Sequence, residues 1–211
     1  MSKKAHKKAQ KAKAHPHGEF SGEPLTEWIG TGQKANRDME LLQGFWYDDP
    51  AGVRWTAAMG RLIDGASIPR VLWSLVGSPY TGCYRKASVV HDIACEDAKT
   101  KPNPKKFRKS ADKMYFHACR RGGCSFPEAL VQYLGVRIGA WVSSVGLWNA
   151  AATAKDNPEG RFYRTMSDQS IVGTFHEMLA AVTDADTDDI NEIEAIAEHH
   201  LKVKATLLAR G

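Results

Sequence analysis

The stretch VVHDIACEDAKTKPNPKKFRKSADKMYFHAC, residues 89–119, contains two helical patterns separated by a proline-containing connection. The first helix is predicted from Cys83 to Ala98, where apolar side chains recur at helical spacing. The two prolines of KTKPNPKK are incompatible with continuing that helix. The second helix is predicted from Lys105 to Arg120, and the sequence RGGC ends it. We therefore expect an antiparallel helix pair at the centre of the fold.

Two strand-like runs precede this helix pair. MELLQGFWYDD and VRWTAAMGRLI, between Met39 and Ile63, collect aromatic and β-branched residues. Asp49-Pro50-Ala51-Gly52 separates them and is typical of a turn, so the pattern predicts a β-hairpin. DGASIPR, residues 64–70, follows directly, and VLWSLVG then predicts a short apolar helix or strand.

The rest of the chain is predicted to be helical. Ser125 is a candidate cap for a third core helix with Pro127 in its first turn, and two weakly amphipathic helices follow between Gln169 and Arg210. The fold class is therefore α+β, with an N-terminal β-hairpin feeding a mainly helical core whose antiparallel helix pair carries HD and AD. We expect three parts: a basic flexible tail (1–22), a core domain (23–153) and a helical C-terminal appendage for packing or docking (154–211).

The composition limits the classes of protein. Hydrophobic residues make up 43% and charged residues 25% of the 211 residues, as in ordinary globular proteins. The net charge of +5 comes from six lysines within residues 1–13, a tail suited to nucleic acid or an anionic lipid surface. The apolar stretch 129–152 is interrupted by polar residues and predicts a core helix. With no export signal or membrane span, we expect the virion or the host bacterial cytoplasm.

The residues that could take part in catalysis are concentrated in the helix pair. His91 lies on the apolar face of the first helix, and Asp92 points about 100° away from it. If the helices pack antiparallel, Asp112 of the second helix faces His91. A carboxylate on one imidazole nitrogen fixes the tautomer and leaves the other nitrogen as a general base.

Asp92 and the loop DGAS suggest a cation site. Asp64 and Asp92 each offer a hard oxygen, and Gly65 lets backbone carbonyls turn inward. Carboxylates, carbonyls and water suit calcium better than zinc. A cation there could polarise an ester carbonyl while a water activated by His91 attacks it.

These motifs carry two resemblances. The order DGASIPR, HD and RKSAD resembles an uncharacterised family of phage and prophage proteins over roughly residues 45–148. It is also similar to the phospholipase A2 superfamily, especially its bacterial branch. That resemblance implies calcium ligands at Asp64 and Asp92, a base at His91 and a supporting carboxylate at Asp112.

The chain departs from the phospholipase pattern at its cysteines and one tyrosine. Cys95 occupies the position, four residues after the histidine, where that family has a tyrosine that bonds the supporting aspartate. The flanking cysteine pairs of that family are missing. In an antiparallel pair Cys83 falls near Cys119, and these two could form one disulfide in an oxidising setting. The four cysteines fit no tetrahedral zinc pattern.

Each of these residues also has a structural interpretation. Asp64 is a common turn residue before glycine, His91 could be a core histidine, Asp92 could be solvated, and Asp112 could pair with Arg108 at i, i+4. His117 is expected at the surface. A metal phosphohydrolase needs a further upstream histidine, and only His6, His15 and His17 of the tail are available. No glycine-rich phosphate loop precedes a helix, so nucleotide binding is not expected.

Two functional hypotheses follow. The first is a phage-encoded, calcium-dependent, phospholipase-A2-like ester hydrolase that acts on bacterial lipid through His91 and Asp112. The second is a non-catalytic phage virion or assembly protein on the same scaffold. Its lysine-rich tail and C-terminal helices would then bind nucleic acid or other virion proteins, with salt-sensitive affinity for nucleic acid.

Overall fold

The computed structural model describes residues 15–29, 39–63, 65, 67–77, 81–144 and 167–210. Within these ranges the chain is α+β, as predicted, with short strands followed by a helical core. The strands are β1 (Glu19–Phe20), β2 (Thr26–Trp28), β3 (Met39–Leu41), β4 (Phe45–Asp48), β5 (Arg54–Ala57) and β6 (Leu62–Ile63). The helices are α1 (Trp73–Val76, after a 3-10 turn at Arg70–Leu72), α2 (Arg85–Ala98), α3 (Pro104–Arg121), α4 (Phe126–Ser144), α5 (Asp168–Asp184) and α6 (Ile190–Arg210).

The strands form two small antiparallel sheets, ordered β1-β4-β5 and β2-β3-β6. The predicted hairpin is present as β4 and β5, with Tyr47 opposite Trp55. Asp49 closes its turn by accepting hydrogen bonds from the backbone N–H groups of Ala51 and Val53, both at 2.9 Å. The outer ends of the two strand-like runs become β3 and β6, which pair with each other in the second sheet.

The segment before β2 is part of the fold as far back as residue 15. Phe20 pairs with Tyr47 across β1 and β4 and is buried against Phe45. The sequence pattern places residues up to 22 in a flexible tail, but residues 15–22 lie against the sheet. The six lysines of the tail lie outside the described residues. The sequence also predicts a polar loop over residues 154–168, of which residues 154–166 lie outside the described ranges.

The two central helices form the predicted antiparallel pair. Asn103 caps α3 by accepting a hydrogen bond from the Lys106 N–H (3.2 Å), and Pro104 fills the first helical position, where no N–H is needed. Helix α2 is buried over every residue from Ala87 to Cys95. Side chains on all of its faces therefore meet protein, which is how two neighbours that point about 100° apart, such as His91 and Asp92, are both buried.

A disulfide joins the ends of this helix pair. It links Cys83, before α2, to Cys124, after α3. The prediction that Cys83 pairs with Cys119 is therefore wrong. Helix α3 continues to Arg121, and the turn at Gly122–Gly123 brings the chain back beside the start of α2. Cys119, within the last turns of α3, faces the core as a buried free thiol.

Helix α4 supports the DGASIPR loop. A Cβ atom at Gly139 would lie 1.8 Å from the Ser67 carbonyl oxygen, and one at Gly135 would lie 3.2 Å from Ile68. The two glycines, four residues apart on one face of α4, therefore let the loop lie directly on the helix. The Trp73 indole N–H also donates to the Ile68 carbonyl at 3.1 Å. These contacts fix where Gly65 and Ser67 lie relative to α2.

The C-terminal helices pack against the core. Helix α5 contacts α4, and α6 contacts both α4 and α5. Glu194 of α6 forms ion pairs with Lys113 (3.2 Å) and Lys109 (3.7 Å) of α3. Among the described residues, no helix is long and apolar enough to cross a membrane.

Candidate functional site

The predicted pairing of His91 with Asp112 is present. Nε2 of His91 lies 2.8 Å from Oδ1 of Asp112, and both side chains are completely buried. His91 comes from the middle of α2 and Asp112 from the middle of α3, so the antiparallel packing of the two helices creates the contact. Tyr115 covers one side of the imidazole, with 4.7 Å between the ring centroids.

Asp112 is the centre of an ion-pair cluster. Arg108, one turn earlier on α3, donates to Oδ1 at 3.0 Å, as expected for an i, i+4 pair. Arg137 of α4 donates to Oδ2 at 3.2 Å. Burial raises the pKa of Asp112, but Arg108, His91 and Arg137 outweigh it, so the pKa lies below its ordinary value. The carboxylate is therefore ionised at neutral pH.

The charge on Asp112 determines the tautomer of His91. Burial lowers the pKa of His91 more than the hydrogen bond and charge of Asp112 raise it, so the ring is neutral at pH 7. An ionised carboxylate only accepts hydrogen bonds, and Nε2 must therefore carry the proton. Nδ1 is left with its lone pair, which is the state that a general base requires.

Cys95 lies against the His91 ring, at nearly equal distances from its two nitrogens. Its Sγ is 3.6 Å from Nδ1 and 3.5 Å from Nε2 of His91. Ser67 of the DGASIPR loop lies within hydrogen-bonding reach of the same sulfur. Burial raises the pKa of the Cys95 thiol, so it is protonated at neutral pH. The base nitrogen is thus covered by a neutral thiol and the loop above it.

His91, Cys95 and Asp112 lie close enough to suggest a metal site. The direct 2.8 Å bond between His91 and Asp112 occupies the space between those two ligands. Two guanidinium groups already neutralise the carboxylate, and the thiol is protonated. A transition metal needs a deprotonated thiol and an unshared carboxylate, so these three residues do not fit one.

Of the three residues predicted to form a cation site, the structure describes Asp92 and Gly65. The Gly65 N–H donates to Oδ2 of Asp92 at 2.7 Å, so the carboxylate does face the DGAS loop and is buried there. Asp64, the other predicted carboxylate ligand, lies outside the described residues. Carboxylate and loop-carbonyl oxygens are the donor types that calcium prefers. The described part of the site is already balanced, however, because Asp92 and Asp112 face Arg108 and Arg137. A divalent cation there depends on the added charge of Asp64.

Two residues of the site are absent from the sequence-based prediction. Arg137 is almost completely buried, with 9% of its surface exposed, and its guanidinium donates to the second carboxylate oxygen of Asp112. Gln132, on the same helix, accepts from the Tyr115 hydroxyl at 2.9 Å and donates to the Val76 carbonyl. Both interrupt the apolar pattern of α4, and a lone polar side chain in such a helix indicates a buried partner.

Comparisons with known proteins find sequence similarity in the part of the chain that contains this site, and they add no activity. The chain is 43% identical to the uncharacterized protein y4jT of Sinorhizobium fredii (strain NBRC 101917 / NGR234) over 79 residues, which are 37% of this chain and 23% of that protein. It is 27% identical to the uncharacterized protein y4iH of the same strain over 171 residues, 75% of this chain and 69% of that relative. The chain thus matches less than a quarter of the first relative's length.

No solved structure matches the chain. The family match extends from β3 into α4 and so includes His91, Asp92 and Asp112, while Arg137 follows its last residue. Residues 39–136 match the DUF1353 family, which is described as a protein of unknown function.

Proposed function

We propose that this protein is an ester hydrolase in which His91 is the general base and Asp112 its supporting carboxylate. The observation that carries the proposal is the 2.8 Å bond between them, formed by a carboxylate that two arginines keep ionised. The resemblance of the motif order to phospholipases A2 supports a lipid ester as the substrate class.

The proposed reaction uses the Nδ1 lone pair of His91. Nδ1 takes a proton from water while the water oxygen attacks the acyl carbonyl carbon. Asp112 stabilises the imidazolium that results, and the proton then passes to the departing alcohol oxygen as the ester C–O bond breaks. Asp64, Gly65 and Asp92 are the proposed holders of calcium, which when bound would supply positive charge near the carbonyl oxygen.

The burial of His91 sets a condition on this proposal. His91 is fully buried, whereas Asp92 and Cys95 on the loop side are each 7% exposed. A substrate would therefore reach Nδ1 past Cys95 by displacing the loop at Gly65 and Ser67. Among the described residues, Gly65 and Ser67 contact Asp92 and Cys95 through hydrogen bonds, whose net energies are roughly 1–3 kcal/mol each.

Release of fatty acid from phospholipid vesicles tests the proposal. We expect activity in the full chain with calcium, a loss of at least about a hundredfold in His91→Gln, and loss on chelation. His176→Gln, an exposed histidine on α5, is the matched control and should retain full activity. Undiminished activity in a folded His91→Gln variant would refute the role of His91 as the base. If His91→Gln loses activity but chelation has no effect, only the proposed requirement for calcium is refuted.

A non-catalytic phage virion or assembly protein is a second proposal. The observation that favours it is the complete burial of His91 and Asp112, since a cluster tied to three helices also stabilises a scaffold. The lysine-rich tail would then bind nucleic acid. Deletion of residues 1–13 should abolish salt-dependent DNA binding, while His91→Gln should leave it unchanged. Equal DNA binding with and without the tail would contradict this role.

A further inference from the structure

Two histidines that are 100 residues apart in sequence meet at the edge of the β1-β4-β5 sheet. Nδ1 of His17 lies 3.3 Å from Nδ1 of His117 on α3, and their ring centroids are 5.6 Å apart. Neither belongs to the cluster around Asp112. Their meeting also overturns the expectation that His17 lies in a flexible tail. His117 is half-buried beneath it and is not a plain surface residue.

The backbone around His17 is fixed by the fold. The Tyr47 hydroxyl donates to the His17 carbonyl at 2.7 Å, and Arg121 donates to the Gly18 carbonyl at 3.0 Å. Gly18 has φ +79°, and a Cβ atom there would lie 2.1 Å from the Asp48 carbonyl oxygen. The turn therefore requires glycine at this position and holds His17 over His117.

We propose that His17 and His117 are the two protein ligands of a transition-metal site that prefers Zn²⁺, each binding through Nδ1. Zn–N bonds of about 2.0–2.1 Å at the tetrahedral angle separate two ligand nitrogens by about 3.3 Å. The observed Nδ1–Nδ1 distance of 3.3 Å has this value before any ion binds. The spacing of the two nitrogens therefore suits a shared Zn²⁺ once both rings carry their proton on Nε2.

The electrostatic surroundings support this assignment and limit its strength. Both histidines are partly buried, and charged groups of both signs lie near them. Asp49 faces His117 and favours positive charge there. Arg120 and Lys113 act in the opposite direction. With two protein ligands and two nearby cations, we expect binding weaker than that of a closed structural zinc site.

His15 is the nearest candidate for a third ligand. Its ring centroid is 5.9 Å from that of His17, and the side chain is exposed. Its Nδ1 accepts a hydrogen bond from the His17 N–H at 3.2 Å. The proton of a neutral His15 is then on Nε2, which cannot bind metal in that state. Water completes the coordination unless His15 gives up this bond and rotates.

Titration of the full-length protein with ZnCl₂ tests the site by calorimetry, and CoCl₂ gives a visible spectrum that reports tetrahedral geometry. We expect one saturable equivalent per chain, weakened roughly tenfold or more by His17→Gln and by His117→Gln, with loss of the cobalt absorption. His176→Gln should change neither measurement, and a tenfold loss in His15→Gln would identify His15 as the third ligand. Unchanged zinc affinity in the two ligand variants would overturn the proposal.

A second measurement avoids any folding defect in the variants. Diethyl pyrocarbonate modifies accessible histidines of the wild-type protein, and peptide mass mapping identifies which ones. Zn²⁺ should protect His17 and His117 but not His176. The same neutral pair can also share a single N–H···N hydrogen bond without metal, and equal modification with and without Zn²⁺ would favour that state and refute the site.

Discussion

Nε2 of His91 and Oδ1 of Asp112 lie 2.8 Å apart across the interface of α2 and α3, where neither side chain has any exposed surface. This bond is supported from a third helix, because Arg137 of α4 holds the other oxygen of the same carboxylate. The three helices therefore share one buried negative charge. The stability of the helical core and the chemistry of His91 both depend on it.

Asp112→Asn should be strongly destabilising. The substitution leaves Arg108 and Arg137 without their common anion, and breaking a buried ion pair costs about 3–5 kcal/mol. Denaturant unfolding followed by circular dichroism measures the loss. Asp48→Asn is the matched control, since its partner Arg54 is 55% exposed and such surface pairs contribute little to stability. Equal losses in both variants would contradict the role given to Asp112.

His91 should make the protein less stable as the pH falls. Its pKa is lowered in the folded state from an ordinary value near 6.5, so below that value the unfolded chain binds a proton that the folded chain does not. Stability is then full above pH 6.5 and decreases as the pH falls below it. Free energies of unfolding between pH 8 and pH 5 should show a smaller pH dependence in His91→Gln. Identical slopes in the two proteins would show that His91 does not titrate this way.

Arg137 and Glu198 should differ in their contributions to stability. Arg137 is 9% exposed and holds Asp112, and it also lies 3.7 Å from Glu198 of α6. Arg137→Met is expected to cost roughly 3 kcal/mol because it breaks a buried pair. Glu198→Gln removes only a partly exposed partner and should cost about 1 kcal/mol or less. Thermal unfolding compares the two, and a larger loss in Glu198→Gln would be inconsistent with this arrangement.

Gly139 and Gly173 form a matched pair of helical glycines. A Cβ at Gly139 would lie 1.8 Å from the Ser67 carbonyl oxygen, so Gly139→Ala must push the DGASIPR loop away and should cost about 1–3 kcal/mol. A Cβ at Gly173 of α5 meets nothing within 4 Å, and Gly173→Ala should stabilise by up to about 1 kcal/mol. Chemical denaturation measures both. Destabilisation by Gly173→Ala, or none by Gly139→Ala, would contradict the packing described.

The oxidised protein should contain two free thiols in denaturant, Cys95 and Cys119, and four after reduction. The two cysteines are 41 positions apart in sequence, and the loop-entropy relation gives a stabilisation of about 4 kcal/mol. Cys83→Ser should lower the free energy of unfolding by up to that amount. Thiol titration and a non-reducing peptide map measure the pairing, and recovery of a Cys83–Cys119 peptide would contradict it.

Helical periodicity and a short connection were enough to predict that His91 faces Asp112, because both residues lie near the middle of helices that must reverse direction. The rotation of α4 about its axis has no such local determinant, and the partner of Arg137 was therefore not predictable from spacing. The pairing of Cys124 depends on the turn that follows α3 and is not determined by helical spacing. The basic neighbours of His17 favour a tail, although the proline and glycine around it indicate a turn.

The Cys83–Cys124 bond has a consequence for limited proteolysis. The exposed connection between α2 and α3 offers Lys99 to trypsin, and a cut there separates His91 and Asp112 onto different polypeptides. The cystine would still tie the two fragments together, since Cys83 belongs to the first and Cys124 to the second. A nicked molecule would migrate as an intact chain until reductant is added, and its two halves would remain close enough to rebuild the buried carboxylate cluster.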